Sequence, residues 1–344
     1  MSNILTKCSL CKANEADQTG SHIVPSFLLK RIENIDGRTG RDYEIGFTLT
    51  DQKIESHFGR EVPIEKLNEV YGELTDDEIK ANKHPLVVDF IFCRSCEIKL
   101  GVVESEYASR FNSEGENINS AISFLFWSSI IWRLSINRKD SNHLTKSHSE
   151  ILRRILDRTL KDNLSAINQD ELLTSSDKSK ISYKLLRAKD FSNEHPTFLS
   201  FVKGYNNPYL LILDEYICLF RFGNKTVDSI QKDYFGLKDK LRNASYNNYN
   251  ELEVITSIGE EEMSNMIKFL LAEYSKLRTK NINIILDKVH RYIDGKGRFM
   301  PLEIKKEIVI NLYDNEKELG RRFSNEEFIE VVISVLRKYI PFQN

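Results

Sequence analysis

Two pairs of cysteines, each with the spacing C-x-x-C, constrain this chain more than any other feature of its sequence. The first pair is Cys8 and Cys11 and the second is Cys93 and Cys96, with 81 residues between them. A two-residue spacing lets each pair bind one tetrahedral ion through a tight turn. Four thiolates leave such an ion no open position, so we predict a structural zinc ion that joins two distant parts of the chain.

The segments around the cysteines predict two strands followed by a helix. Residues 21–24 form a short β-type run that Pro25 ends, and the β-branched and aromatic run 85–92 leads directly into Cys93. Residues 97–111 then have helical spacing. The resulting order is a cysteine hairpin, a strand, an insertion, a strand, a second cysteine pair and a helix, which is a treble-clef arrangement.

The rest of the chain predicts a mostly helical body. The segment that begins at Ser120 is apolar nearly all round, so we expect a buried helix there. We predict an α+β, mostly α fold, in which an N-terminal treble-clef zinc module precedes a helical body with a small antiparallel sheet. Further predicted helices are 148–160, 266–274, 282–293, 302–313 and a final one capped at Ser324; predicted strands are 198–202, 209–213 and 216–222. The predicted domains are 1–115, 116–245 and 246–344.

Composition is that of an ordinary globular protein, with 40% hydrophobic and 29% charged residues among 344. No apolar run reaches the roughly 18 residues that span a bilayer, and the N-terminus lacks the apolar segment of a signal peptide. We therefore expect a cytoplasmic protein with no membrane partner, whose thiolates are held by metal. Cys218 stands alone in an apolar run, which is typical of a buried small hydrophobic residue.

Basic residues concentrate in the middle of the chain, although the net charge is −2. Residues 111–245 carry 20 Lys and Arg against 16 Asp and Glu, and Arg133 belongs to the densest basic region. If nucleic acid is the substrate, this segment is the one expected to contact phosphates, although a solvated helix face is the default explanation of its charges. The candidate phosphate-binding residues are Arg153, Arg154, Arg158 and Lys161.

Three motifs together resemble the zinc-containing branch of the HNH (ββα-metal) endonuclease superfamily. In this chain they are C-x-x-C at 8–11, Ser-His-Ile-Val-Pro at 21–25 and C-x-x-C-Glu at 93–97. The usual string of that branch is C-x-x-C, then D-H-I-x-P, then C-x-x-C-H at a helix start. The resemblance covers about residues 5–110.

The resemblance implies a nuclease that cuts DNA phosphodiester bonds with one divalent ion. His22 would be the general base, since an imidazole of near-neutral pKa can take a proton from water at physiological pH. Mg²⁺ or Mn²⁺ would polarise the phosphate. The expected partner is DNA, and the resemblance also implies roles in bacterial anti-phage defence, restriction or mobile elements.

Two positions depart from the motif of the superfamily. Ser21 stands where the family has a metal-binding acid, and Glu97 stands where it has the helix histidine. A carboxylate is an acceptable ligand for Mg²⁺ or Mn²⁺, so Glu97 is a candidate for both catalysis and ion binding. Glu104, two turns further and so roughly 10 Å along the helix, is a second candidate carboxylate.

Each of these residues also has an ordinary structural explanation. His22 could pack beside the cysteines or bond to a backbone carbonyl, Glu97 could be favoured by the helix dipole, and Glu104 could be a surface residue. Whether the chain is an enzyme therefore stays open. The alternative function is a non-catalytic, zinc-stabilised subunit that binds nucleic acid or protein, and a protein partner or an oligomer also stays open.

Overall fold

A computed structural model of the chain defines two compact units. One draws on residues 1–41 and 84–268, and the other on residues 42–83 and 269–344. The described residues are 6–29, 45–49, 54–59, 61–71, 74, 79, 86–111, 119–136, 144–167, 181–189, 191, 198–292, 297–319 and 325–339.

The regular structure is α+β and mostly helical, as the sequence predicts. The described helices are α1 (Ile64–Tyr71), α2 (Arg94–Phe111), α3 (Ser120–Ile136), α4 (Lys146–Thr159), α5 (Lys238–Asn243), α6 (Glu260–Tyr292), α7 (Leu302–Leu319) and α8 (Asn325–Tyr339). The described strands are β1 (Ser21–His22), β2 (Ile45–Leu49), β3 (Ile54–Phe58), β4 (Val87–Val88), β5 (Ile181–Arg187), β6 (Leu199–Phe201), β7 (Tyr209–Leu213), β8 (Tyr216–Phe222) and β9 (Ile255–Ser257).

Helix α3 forms the centre of the first unit. Every residue from Ser120 to Leu134 is buried, which follows from an apolar surface that surrounds the helix. Trp127 lies against Tyr107 of α2, with ring centroids 6.2 Å apart, and against Tyr216 of β8, at 5.7 Å. The helix therefore packs between α2, which follows the second cysteine pair, and the large sheet.

The large sheet has the strand order β6-β7-β8-β5-β9. Strands β7 and β8 form the predicted hairpin, which turns at Asp214 and Glu215. Four strands are antiparallel, but β9 pairs with β5 in parallel, so the sheet is mixed and not purely antiparallel as predicted. The parallel strand β9 directly precedes α6.

Several elements differ from the prediction. Strand β5 is absent from the prediction although it pairs with β8 along its whole length. The predicted strand 85–92 is reduced to β4, because residues 89–92 form a bend in which the Phe90 amide and the Phe92 carbonyl bond to Gln18 and do not continue the ladder with β1. The helices predicted at 266–274 and 282–293 are joined in the single helix α6.

The second unit has a separate core. Helices α6, α7 and α8 and the residue Met300 before α7 form a buried cluster. It consists of Leu286, Met300, Ile304, Ile308, Leu312, Val332, Val335 and Leu336. The Lys305 ammonium lies 2.6 Å from the Asp287 carboxylate, and the Lys338 ammonium lies 2.6 Å from that of Glu307. Strands β2 and β3 also belong to this unit and pair as an antiparallel hairpin.

These two units group the chain differently from the three predicted domains, 1–115, 116–245 and 246–344. The domain prediction concerns pieces that fold independently, which a grouping by contacts does not test, so it stays a prediction. Among the described helices, none combines the length and the apolar character that a bilayer crossing requires.

Candidate metal centre

The first cysteine pair lies in a tight turn that backbone hydrogen bonds close. The Cys8 amide donates to the Asn14 carbonyl at 2.8 Å, and the Lys12 amide donates to the Cys8 carbonyl at 3.0 Å. Lys12 has a positive φ of 59°, which reverses the chain directly after Cys11. Both thiol groups are thereby carried on one short turn.

The second cysteine pair stands at the N-terminus of α2. Cys93 directly precedes the helix and Cys96 lies in its first turn. The Asp17 carboxylate accepts a hydrogen bond from the Arg94 amide at 3.0 Å, so a side chain from the first segment satisfies an amide at the start of α2. The Ser9 amide also donates to the Ile91 carbonyl at 2.9 Å. These bonds hold the two cysteine segments together independently of any ion.

The four sulfur atoms meet, as the spacing predicts. All lie within 4.8 Å of one another, and Cys11 Sγ lies 4.0 Å from Cys93 Sγ. Tetrahedral zinc with Zn–S bonds of about 2.3 Å separates its sulfur ligands by roughly 3.8 Å, so the quartet fits zinc with small adjustments. Cys8, Cys93 and Cys96 are buried, and Cys11 is half-buried. The four cysteines can therefore hold one zinc ion, with no position open for substrate.

The electrostatics of the quartet favour a bound cation. A hydrogen bond from Cys96 lowers the pKa of Cys8 to about 4, whereas the same interaction and burial raise the pKa of Cys96. The Cys8 thiol therefore ionises readily, while ionisation of its partner Cys96 is opposed. The Asn14 side-chain amide lies 3.6 Å from Cys93 Sγ, where it can donate to a thiolate. A divalent cation removes the remaining charge repulsion.

The candidate base, His22, lies on strand β1 beside the quartet. It pairs with Val87 of β4, the strand that leads to the second cysteine pair. Its side chain is exposed, and its backbone carbonyl accepts a hydrogen bond from Arg133 Nη1 at 2.9 Å. The imidazole is therefore accessible from solvent while the backbone behind it is held.

Glu97 lies in the first turn of α2 and faces Ser21. Burial is the main cause that raises the pKa of the Glu97 carboxyl, and the nearby Glu104 and Cys8 also raise it. The Ser21 hydroxyl and the Arg133 guanidinium oppose that shift. Within the described part of the chain, Glu97 Oε1 and Ser21 Oγ are buried without a hydrogen bond of normal geometry. Two oxygen atoms that can bind a cation therefore lie together at the strand–helix junction.

Arg133 is the residue of this region whose position sequence reasoning missed. Its side chain is 2% exposed, and Nη2 lies 2.5 Å from Glu104 Oε1. The sequence counts it in the densest basic region, although it also belongs to the segment that is expected to form a buried helix. The available signal is a single arginine within a helix that is otherwise apolar or small, since a buried arginine needs an anionic partner.

The structure does not gather every predicted ligand into one set. Among the described residues, the cysteine quartet is the one group of three or more His, Cys, Asp or Glu ligand atoms close enough to share an ion. His22, Glu97 and Glu104 do not form such a group, although Glu97 and Glu104 are close enough to influence each other.

The predicted phosphate-binding residues on α4 have different surroundings. Arg153 Nη1 donates to the Leu10 carbonyl in the cysteine turn at 2.7 Å, and its guanidinium also pairs with Glu150. Arg154 and Arg158 are exposed, and Lys161 Nζ donates to the Arg158 carbonyl at 3.0 Å. Arg153 thus stabilises the turn of the first cysteine pair, whereas the Arg154 and Arg158 side chains are exposed to solvent.

The strand that carries His22 and the helix that carries Glu97 are linked through β4 and the second cysteine pair. In comparisons with protein-family profiles, with curated proteins and with solved structures, none matches this chain.

Proposed function

We propose that this chain is an HNH-like, metal-dependent endonuclease that hydrolyses DNA phosphodiester bonds in a treble-clef module. One observation carries the proposal. The strand with His22 pairs with β4, which leads into the second cysteine pair, and the helix with Glu97 begins at that pair. The Glu97 and Ser21 oxygens at this junction are buried without hydrogen bonds of normal geometry among the described residues. An enzyme of this class needs a base and an ion ligand at such a junction.

His22 takes the role of general base in this proposal. Its exposed side chain can receive a proton from a water molecule that attacks the phosphorus atom. The bond from Arg133 and the pairing with Val87 fix the backbone from which the imidazole projects. Positioning of this kind is a requirement for general-base catalysis, because proton transfer needs contact within hydrogen-bond distance.

Glu97, with Ser21 beside it, is the proposed holder of Mg²⁺ or Mn²⁺. A carboxylate is a preferred ligand of both ions, while a serine hydroxyl is a weak one. When bound, such an ion polarises the phosphate and stabilises the charge of the leaving oxygen. A cation at this place would also offset the burial that raises the pKa of Glu97. The zinc ion, with four thiolates, stays structural.

DNA is the proposed partner, and phosphate contacts are assigned to the exposed side chains of Arg154 and Arg158. The segment 111–245, to which they belong, carries the positive excess of the chain. The role in anti-phage defence stays an implication of the resemblance and adds nothing to the chemistry.

Plasmid cleavage tests the proposal. We expect the zinc-loaded chain to nick or linearise supercoiled plasmid after Mg²⁺ or Mn²⁺ is added. His22→Ala should lower the rate by about 10²–10⁴-fold, the usual contribution of a general base, and should keep its zinc. His57→Ala serves as the control, because it removes an imidazole from strand β3 of the other unit. Full cutting by His22→Ala would exclude His22 as the base.

A non-catalytic, zinc-stabilised subunit that binds nucleic acid or protein is the alternative. The pairing of Glu104 with Arg133 favours this alternative. Because Glu104 is paired, only Glu97 of the two candidate carboxylates has no basic partner at hydrogen-bond distance among the described residues, which leaves one carboxylate to bind an ion. If the wild-type chain binds DNA but does not cut it with either ion, this alternative replaces the nuclease.

A further inference from the structure

One buried cation joins the strand of His22 to helix α2. Arg133 lies on α3 and is almost fully buried. Its Nη1 donates to the His22 carbonyl at 2.9 Å, its Nη2 lies 2.5 Å from Glu104 Oε1, and Nη2 also reaches Ser129 Oγ at 3.3 Å. Three segments that are far apart in the sequence therefore meet at one guanidinium.

The strand that Arg133 reaches is short. Strand β1 is two residues long and pairs with Val87 and Val88 of β4, and the Ile23 amide donates to the Leu86 carbonyl at 2.9 Å just beyond it. A ladder of this length restrains the His22 backbone weakly. The bond from Arg133 adds an anchor from a helix that is itself buried on all sides.

Arginine suits this task because its planar fork can bind a carbonyl and a carboxylate at once, in fixed directions. A purely structural core position would not need it, since apolar side chains of similar size pack at least as well as a buried ion pair. Because burying the guanidinium is costly, its presence indicates that it holds the His22 carbonyl and the Glu104 carboxylate in fixed positions.

We propose that Arg133 is a positioning residue, which fixes the His22 backbone relative to α2 and thereby aims the imidazole at the substrate. Glu104 is then the counterion of Arg133 and does not bind the catalytic ion. This inference rests on the proposed nuclease function and assigns a part of the same site.

The test separates positioning from stability with a double substitution. Arg133→Met alone leaves Glu104 without its partner and should destabilise the fold. Arg133→Met with Glu104→Leu removes both charges, so the thermal midpoint should return close to that of the wild type. We expect the double variant to retain zinc and to cut plasmid with a kcat lower by roughly 10²-fold and an unchanged KM, as expected for a misplaced base.

The matched control is a second ion pair in the same unit. Arg187 on β5 and Glu215 at the β7–β8 turn pair through Nη2 and Oε2 at 2.8 Å. Arg187→Met with Glu215→Leu changes the same residue types away from His22, so its kcat should equal that of the wild type. A matching loss of kcat in this control would overturn the assignment to Arg133.

Two further readouts do not depend on cutting. The ring resonances of His22, assigned by their loss in His22→Gln, should shift or broaden in the Arg133→Met, Glu104→Leu variant and stay unchanged in the control. The affinity of the zinc-loaded variant for Mn²⁺ should equal that of the wild type. A weakened Mn²⁺ affinity would make Glu104 an ion ligand, and unchanged His22 resonances would exclude positioning.

The outcomes also separate this inference from the nuclease proposal. If the wild-type chain does not cut, the nuclease proposal fails while the His22 resonances still decide whether Arg133 orders that strand. If the wild type cuts and the double variant cuts equally well, the nuclease proposal stands and the positioning role is wrong.

Discussion

Arg153 shows, at the scale of single residues, how one basic side chain can differ from its neighbours on a helix. Its guanidinium contacts the Leu10 carbonyl and the Glu150 carboxylate, and Asp157 lies 3.5 Å away. Arg154 and Arg158, on the same helix, are exposed. The first residue therefore supports the cysteine turn, and the other two are accessible to phosphates.

Two substitutions should separate these roles. Arg153→Ala should lower the free energy of unfolding by about 1–3 kcal/mol, because it removes charged hydrogen bonds from a half-buried site. Arg154→Ala with Arg158→Ala should instead weaken DNA binding and reduce the slope of log K against log salt by about 2, since each lost phosphate contact contributes roughly 0.9. Thermal melts and a salt titration of DNA binding measure both effects. An unchanged slope in the double variant would remove these residues from the DNA interface.

At the scale of elements, the cysteine quartet connects the N-terminal turn to helix α2. Cys96→Ser should abolish binding of the expected single zinc ion, because a structural zinc site needs all four ligands. Amide hydrogen exchange should then increase in the turn around Cys8 and in the first turns of α2. Cys218→Ala is the control: Cys218 is buried in β8, and its loss should leave the zinc content unchanged. Zinc bound equally by Cys96→Ser would contradict the four-thiolate site.

The elements that the sequence predicts correctly are those whose signal is local. The spacing within each cysteine pair, the largely apolar α3 and the β7–β8 hairpin are each visible in one short stretch of sequence. The sequence does not predict strand β5, because the strand is buried on both faces and yet includes the charged residue Lys184. The Lys184 ammonium donates to the carbonyls of Leu241, Arg242 and Ala244 at the end of α5, 57 to 60 residues away. No pattern in the sequence around Lys184 predicts those carbonyl acceptors.

In the candidate site, too, the residues with a local sequence signal can be predicted and those that depend on long-range packing cannot. Cys8, Cys11, Cys93 and Cys96 can be assigned because metal chemistry fixes their spacing within each pair. The pairing of Arg133 with Glu104 cannot be predicted from the sequence, because it depends on how α3 packs against α2. The sequence counts Arg133 in a basic region and does not reveal its partner, whereas in the fold its side chain is buried.

At the scale of the whole molecule, the half-buried Glu253 connects the chain before β9 to the interior of the first unit. The Glu253 carboxylate accepts hydrogen bonds from the Tyr183 hydroxyl at 2.6 Å and from the Tyr107 hydroxyl at 2.9 Å. The Trp127 indole donates to the same Tyr107 hydroxyl at 3.2 Å. Residues of α2, α3, β5 and the segment before β9 thus share one polar network.

This network predicts a specific dependence of stability on pH. Burial raises the pKa of Glu253 above its ordinary value of 4.5, although the tyrosine hydrogen bonds oppose the shift. The folded state therefore binds this proton more tightly than the unfolded state, so the contribution of Glu253 to stability falls as the pH rises from 4.5 to the raised pKa.

Urea denaturation of the wild type and of Glu253→Gln, at about pH 7 and about pH 5, measures this dependence. On acidification the wild type should gain stability relative to the variant, because the variant has no proton to bind. The neighbouring exposed Glu251, changed to Gln, should show no such difference. A wild type that loses stability relative to Glu253→Gln on acidification would contradict the raised pKa.

The nuclease proposal requires the molecule to hold two different cations side by side, zinc at the quartet and a divalent ion at Glu97. Glu106, on the same helix, pairs with Arg110 and lies outside the proposed site, so it offers a matched control. Mn²⁺ can be counted by its paramagnetic resonance signal without any assay of cutting.

The most direct measurement is therefore a Mn²⁺ titration of the zinc-loaded chain, compared among the wild type, Glu97→Gln and Glu106→Gln. We predict one bound Mn²⁺ in the wild type and in Glu106→Gln, with at least about tenfold weaker affinity in Glu97→Gln. A wild type that binds no Mn²⁺, or a Glu97→Gln variant that binds it equally well, would contradict the proposed site.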